Sequence, residues 1–391
     1  MLIESHRAIV KATVPLLETG GEALTTHFYR IMLDEYPQVR PLFNQAHQAS
    51  GDQPRALANS VLMYAKNIDR LEGLGNLPAQ IINKHVSLQV LPEHYPIVGA
   101  CLLRAIREVL GGEIATDEVL AAWGAAYQQL ADILIGAEEQ AYSATEAQAG
   151  GWRGARAFRV VRKVAESSEI TSFYLAPVDG QPVVSHQPGQ YIGLRIAIDG
   201  QEQRRNYSLS AGANGRDLRI SVKREADGLV SRHLHDSVRE GDVLDVFPPA
   251  GAFTLQPGKK PLVLMSGGVG ITPTLAMLGE ALHKSDRPVH FIHCARSKAA
   301  HAFRDTVDAL AARHPQLKRF YCYEQEDDSA HGTGLIDQER LAEWLPATRD
   351  LDAYFLGPKP FMAVVKRSLK ALGVPDDQAR YEFFGPAAAL N

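Results

Sequence analysis

A chain of 391 residues, 45% hydrophobic and 22% charged, has enough apolar surface for real cores, which excludes a disordered or fibrous protein and suggests two or three domains at roughly 150 residues each. Its 41 Lys and Arg stand against 45 Asp and Glu, a net charge of -4 that offers no electrostatic footprint for nucleic acid or an anionic membrane. No apolar run approaches the roughly 18 residues that span a bilayer, and Glu4, His6 and Arg7 stand where a signal peptide stays apolar, so a cytoplasmic protein with no integral membrane segment is expected. Cys101, Cys294 and Cys322 are scattered and lack metal-ligand spacing, which reads as reduced, structural thiols.

The first 150 or so residues read as successive helices. Leu24, Phe28 and Ile31 form one apolar stripe; Leu57, Val61, Tyr64, Ile68 and Leu71 form a second, and Val119, Trp123, Tyr127, Leu130 and Leu134 a third. Gly20 and Gly21, Pro37 and Pro41, Gly51 and Pro54, Pro78, Pro92 and Pro96, and Gly111 and Gly112 are expected to separate the segments. Ile81, His85 and Leu88 share a helical face, which turns His85 toward a core. Gln53 heads the second stripe, Tyr29 sits in an apolar helix, and Glu138 continues the third stripe by four residues beyond Leu134. A buried carboxylate at Glu138 requires a hydrogen-bonding partner, and Tyr95, between Pro92 and Pro96, is a candidate.

Near Ala144–Gly154 the chain becomes small and polar and the period changes. Ile192, Leu194, Ile196 and Ile198 alternate, as do Leu218, Ile220 and Val222, with turns at Asp199–Gly200 and Asn214–Gly215 between them, the pattern of an antiparallel sheet or barrel. From Lys260 short apolar strands alternate with helices, which implies a parallel sheet covered by helices.

The helical segment resembles, position by position, the globin domain of flavohemoglobins. Phe43 matches the aromatic that wedges against haem, Gln53 and Leu57 the distal helix pair, and His85 the proximal iron ligand. Tyr29 matches the distal tyrosine, Tyr95 and Glu138 match the pair coupled to the proximal histidine, and Lys84 also fits. The resemblance implies haem b with iron on His85. A hydrogen bond from the other imidazole nitrogen to a carboxylate increases electron donation and suits chemistry on dioxygen. Glu139 follows Glu138, and a shift of one residue would exchange their roles.

In the middle segment Pro188, Gly189, Gln190 and Tyr191 precede Arg205, Asn206, Tyr207 and Ser208. A strand with this order can present a cation to a pyrophosphate, an aromatic face to an isoalloxazine ring and a hydroxyl to a ring atom. It resembles the FAD signature of the ferredoxin reductase family, with Gly228, Leu229, Val230 and Ser231 matching the second phosphate segment. Ser266, Gly267, Gly268, Val269, Gly270, Ile271, Thr272 and Pro273 lie between a strand and a helix and are similar to that family's NAD(P)H loop, a glycine turn that lets phosphates approach backbone amides. Tyr381, Glu382, Phe383, Phe384, Gly385 and Pro386 match its terminal segment, in which an aromatic, here Phe384, shields the flavin and Glu382 lies near it. Leu356, before Gly357 and Pro358, departs from the usual Cys and puts the nicotinamide geometry in question. Arg296 and Lys298 follow the second strand, where cations could meet a 2′-phosphate, so the donor is NADH or NADPH.

The expected fold is multidomain: an all-α globin domain at 1–150, an antiparallel β-barrel FAD domain at 151–258 and a ferredoxin reductase-like α/β domain with a parallel sheet at 259–391. The resemblance implies a nitric oxide dioxygenase that uses haem, FAD and NADH or NADPH to convert dioxygen and nitric oxide to nitrate, acting as a monomer. The alternatives are an oxygen or nitric oxide sensor or store with an attached haem reductase, and a general haem-flavin reductase of quinones or peroxides.

Overall fold

The computed structural model describes residues 2–43 and 51–384, which form two compact units that divide after Glu146. The first holds helices α1 (Glu4–Ala12), α2 (Val14–Glu35), α3 (Asp52–Lys66), α4 (Leu77–Leu88), α5 (His94–Leu110) and α6 (Asp117–Glu146), with tighter 3-10 turns at Pro37–Leu42 and Leu71–Leu74.

Gly20 and Gly21 do not separate segments, as the sequence suggests, but lie inside α2. A Cβ on Gly21 would already touch Cβ of Ala58 on α3 at 3.5 Å, so the small residue permits close helix packing there. Pro54, Pro78 and Pro96 fall in the first turns of α3, α4 and α5, where a missing N–H costs no helical hydrogen bond. The second stripe outlasts its helix: α3 ends at Lys66, where Asn67 donates to the Met63 carbonyl, and Ile68 is buried from the connection beyond.

The helices enclose two separate apolar clusters. The larger contains Leu24, Phe28, Tyr29, Met32, Tyr64, Leu102 and Trp123; the smaller contains Tyr95, Ala131 and Leu134, with Ile81 and Ile82 of α4 packed on it. Both α5 and α6 contribute buried residues to the two clusters.

The second unit begins with strands β1 (Arg156–Ala165), β2 (Ile170–Pro177), β3 (Tyr191–Ile198), β4 (Gln201–Ser208), β5 (Leu218–Lys223) and, after helix α7 (Leu229–Asp236), β6 (Val243–Val246). Their order is β4-β3-β6-β1-β2-β5. Leu209, just past β4, bridges Ile220 on β5, and Ser210 N–H donates to the Arg219 carbonyl, so the outer strands meet and the sheet closes. The alternating residues Ile192, Leu194, Ile196, Ile198, Leu218, Ile220 and Val222 all point into its core with Phe158 and Phe173.

The remainder comprises β7 (Leu262–Gly267), α8 (Ile271–Lys284), β8 (Val289–Ala295), α9 (Arg304–Arg313), β9 (Leu317–Tyr323), β10 (Gly332–Thr333), α10 (Gln338–Trp344), β11 (Asp352–Leu356), α11 (Lys359–Ala371) and β12 (Ala379–Tyr381). The strands are parallel in the order β10-β9-β8-β7-β11-β12, with apolar clusters on both faces, which explains their continuous hydrophobic runs. Strand order reverses at β7, so the crevice beyond the ends of β7 and β11 is the switch point where ligands of such sheets bind. Among the described residues no helix is long and apolar enough to cross a membrane.

One buried group couples this unit to pH. His301, 4% exposed, lies tilted against His293 with ring centroids 4.3 Å apart and is hydrogen-bonded to the Tyr323 hydroxyl through Nδ1 at 2.7 Å. Burial lowers its pKa from 6.5 to about 3. The unfolded imidazole takes up a proton near 6.5 while the folded one stays neutral, so falling pH favours unfolding by up to about 1.4 kcal/mol per unit across that window. His301→Phe is expected to flatten the loss of stability between about pH 6 and about pH 4. Urea midpoints across that range would check this, and an unchanged slope would assign the acid sensitivity to other groups.

Candidate functional site

His85 is fixed by the end of its helix. α4 stops at Gln89, which adopts a left-handed conformation with φ 58°, and the Tyr142 hydroxyl donates to the Val90 carbonyl at 2.8 Å just beyond. On α6, Glu138 is buried at 2% exposure, while Glu139 is exposed and accepts from Ser143. The Glu138 carboxylate is therefore the one that faces His85. Its Oε1 accepts from the His85 Nδ1–H at 2.7 Å and from the Tyr95 hydroxyl at 2.6 Å, and His85 Nδ1 and Tyr95 are themselves 3.1 Å apart.

This arrangement selects the tautomer. With the proton held at Nδ1, Nε2 carries the lone pair, and it has no hydrogen-bond partner among the described residues. The ring is 31% exposed, beside the half-exposed apolar residues Ile81, Ile82 and Leu88 of α4. A neutral imidazole with its second nitrogen anchored and its first available is the donor set of a metal ligand in an apolar setting, and it fits haem. Burial and contact with Glu138 push the Tyr95 phenol far up, so it stays protonated and keeps donating.

A second group gathers on α2 and α3. Tyr29 is 7% exposed, with its ring edge-on to Phe43 at 5.5 Å. Burial raises its pKa strongly, and a hydrogen bond from the Gln53 side chain partly opposes that rise. An amide that donates to the phenol oxygen leaves the O–H able to donate elsewhere. Phe43, Leu57 and Val61 are apolar but only half-buried. The residues predicted from sequence thus assemble as two sets, His85 with Tyr95 and Glu138, and Tyr29 with Gln53 and Phe43. Lys84 is exposed, and its carbonyl accepts from the Ser87 hydroxyl.

In the barrel, the ring of Tyr191 lies where a Cβ on Gly251 would approach within 2.7 Å, and the Tyr191 backbone exchanges two hydrogen bonds with Ala250. Arg205 and Tyr207 are half-buried on β4; burial lowers the Arg205 guanidinium and raises the Tyr207 phenol. Asn206 and Ser208 continue the strand. Gly228 caps α7, and Ser231 folds its hydroxyl back to the Gly228 carbonyl at 3.2 Å, with Val230 buried beside it. A half-buried guanidinium, an aromatic face and a helix start in one barrel fit a flavin with its pyrophosphate.

The glycine turn leaves β7 at the switch point. Gly268 has φ 55°, and a Cβ on Gly270 would lie 2.3 Å from the Leu356 carbonyl, so glycine at the second position is imposed by contact with the end of β11. Thr272 binds the Val269 carbonyl at 3.0 Å, and Ile271, Thr272 and Pro273 are buried as α8 begins. Leu356 is 1% exposed in the core with Ile271 and Leu275, so it fills a packing position there. Arg296, one of the two cations expected after β8, is largely exposed and pairs with Glu169. Phe383 packs edge-on to Tyr381 at 5.8 Å, whereas Phe384 is 49% exposed beside the half-buried Glu382. Gly385 and Pro386 lie outside the described residues.

Family models for Globin, Oxidoreductase FAD-binding domain and Oxidoreductase NAD-binding domain match residues 26–134, 157–255 and 264–367. A flavohemoprotein of Pseudomonas putida is 70% identical over 393 residues, with 100% of both chains covered. The chain belongs to the flavohemoprotein family. The structure of a flavohemoglobin from Malassezia yamatoensis with bound FAD and heme is similar at a TM-score of 0.86 and 28% identity, over 98% of this chain and 100% of that one. The FAD/NAD-binding domain of a nitric oxide dioxygenase from Vibrio cholerae is similar at a TM-score of 0.56 and 38% identity, over 60% of this chain and 100% of that one.

Two further residues position these groups without a distinctive local signal in the sequence. Tyr127 donates to the Tyr95 carbonyl at 2.6 Å and sets where that phenol starts; it stood in the third stripe as one more apolar position. Gly251 gives Tyr191 its place, and no local pattern announces it. Removing one donor from the buried Glu138 oxygen by Tyr95→Phe is expected to cost about 1–3 kcal/mol in urea unfolding of the full chain. Wild-type stability in that variant would show that His85 alone satisfies Oε1.

Proposed function

We propose that the chain is an NAD(P)H-dependent nitric oxide dioxygenase that converts nitric oxide and dioxygen to nitrate. In this reading residues 1–150 hold haem b through His85, residues 151–258 hold FAD, and residues 259–391 bind the nicotinamide nucleotide. The relation to the FAD/NAD-binding domain of a nitric oxide dioxygenase from Vibrio cholerae supports it. The observation that carries it is the His85–Glu138 hydrogen bond of 2.7 Å, closed by Tyr95. When bound, haem supplies the iron at which small diatomic molecules react, and FAD divides a two-electron donor into single electrons.

The chain's own groups then have assigned tasks. Glu138 accepts the Nδ1 proton of His85 and makes Nε2 a stronger electron donor, which favours activation over storage. Tyr95 holds Glu138 in place. Tyr29, buried and held protonated, would donate a hydrogen bond to an oxygen-bearing ligand of the bound haem, with Gln53 orienting the phenol. Phe43 and Leu57 keep water out. Arg205 and the amides from Gly228 to Ser231 would hold the flavin pyrophosphate, Tyr191, Tyr207 and Ser208 would hold its ring, and the exposed Phe384 would shield it. The turn from Gly268 to Gly270 and the start of α8 receive the nucleotide phosphates. Arg296, exposed and paired with Glu169, and Lys298 stand where a 2′-phosphate would lie, so the donor is NADH or NADPH.

Anaerobic, NADH-reduced protein mixed with dioxygen and then nitric oxide is expected to yield nitrate catalytically. Accumulation of a stable nitric oxide complex without nitrate would select the sensor or store. His85→Ala should lose the haem absorption band and keep the flavin band; a native haem spectrum in that variant would sink the assignment of the ligand. Glu138→Gln should retain haem and turn over more slowly, by about tenfold or more. An unchanged rate would show that the carboxylate orients His85 without tuning it.

A further inference from the structure

Two of the chain's cysteines lie side by side. Cys294 on β8 and Cys322 on β9 are in register, within a row that crosses four strands from Gly267 through Cys294 and Cys322 to Gly332. Side chains in register on adjacent strands leave the sheet on the same face, and both cysteines pack in the core that contains Ile336 and Trp344. Neighbouring strands lie about 4.8 Å apart, within the window of about 4.4–6.8 Å between Cα atoms that a disulfide needs. Both are free thiols: Cys322 is buried and binds the Gly334 carbonyl at 3.2 Å, while Cys294 is partly exposed. Cys101 is buried among the helices of the first unit.

We propose that Cys294 and Cys322 form a reversible thiol–disulfide site that takes a hydroperoxide as its oxidant. The Cys294 thiol donates to the Cys322 sulfur, which lowers the Cys322 pKa and raises that of Cys294, and the Arg340 guanidinium stabilises negative charge on the pair. The first proton leaves from Cys322, and transfer of the Cys294 proton onto Cys322 across the contact then places the attacking thiolate on the partly exposed sulfur. Cys294 attacks the terminal oxygen of the hydroperoxide, the O–O bond breaks, and the leaving alkoxide takes a proton and departs as the alcohol, or as water when the oxidant is hydrogen peroxide. Cys322 then attacks the sulfur of the resulting sulfenic acid, the S–O bond breaks and water leaves. The two thiols lose two electrons and two protons in total, and the hydroperoxide is reduced to alcohol and water. A thiol reductant reverses the bridge by exchange. The row begins at Gly267, where the glycine turn starts, so the bridge ties β8 to β9 at the strand ends that border the nucleotide crevice.

Full-length holoprotein treated with tert-butyl hydroperoxide and then alkylated under denaturing conditions tests this. The chain has three cysteines, and the alkylated count is expected to fall to one. The peptides with Cys294 and Cys322 should be joined at a mass lower by two hydrogens, and dithiothreitol should separate them. Cys101→Ser should keep the cross-link, and Cys294→Ser should abolish it. Three alkylated thiols in the treated wild type, a bridge through Cys101, or over-oxidation of Cys294 with Cys322 still a free thiol would each overturn the proposal.

Discussion

Oε1 of Glu138 receives two donors that arrive on different helices, the Nδ1–H of His85 on α4 and the phenol of Tyr95 on α5, while Glu138 itself belongs to α6. A carboxylate at 2% exposure is costly to bury without such partners, so folding of this region requires all three helices to be in register at once. The imidazole tautomer, the direction of its lone pair and the protonated state of Tyr95 all follow from this one junction. Tyr127 extends the constraint to the backbone of α5.

At its ligand crevice the second unit depends on close backbone contact. The glycine turn after β7 and the segment Leu356–Pro358 after β11 lie so close that a Cβ on Gly270 or Gly357 would collide with the opposite chain. Just past β4, the Leu209–Ile220 bridge and the Ser210–Arg219 backbone hydrogen bond likewise tie that end of the sheet to β5. The first of these puts main-chain amides and carbonyls at fixed positions beside the turn assigned to the nucleotide phosphates, independent of side-chain rotamers.

Features with a local period were legible in the sequence: the helical stripes, the alternation in β3 and β5, and the buried runs of the parallel sheet. Inward positions with a polar residue, His85, Glu138 and Tyr29, stood out because burial demands a partner. What escaped depends on neighbours distant in the chain. Gly20 and Gly21 look like breakers until Ala58 is seen against α2. Nothing near Arg296 shows that Glu169 will pair with it. Cys294 and Cys322 are 28 residues apart, and only the strand register makes them neighbours. Leu356 looked like a loss at a reactive position because its role in the core is set by α8 and β7.

α6 runs 30 residues from Asp117 to Glu146, about 45 Å as a straight helix. Trp123 and Ala126 anchor its first half in one cluster, Ala131 and Leu134 its middle in the other, and Glu138 lies one further turn along. Each residue advances the helix by about 100°, so angular phase is carried along the rod from one cluster to the carboxylate. A single residue inserted or deleted between Ala126 and Ala131 would swing Glu138 away from His85 by more than a quarter turn, and Ala131 and Leu134 with it. Changes of chain length are therefore tolerable only in the connections around this helix, because within it the count of residues is itself the measure that aims Glu138 at the histidine.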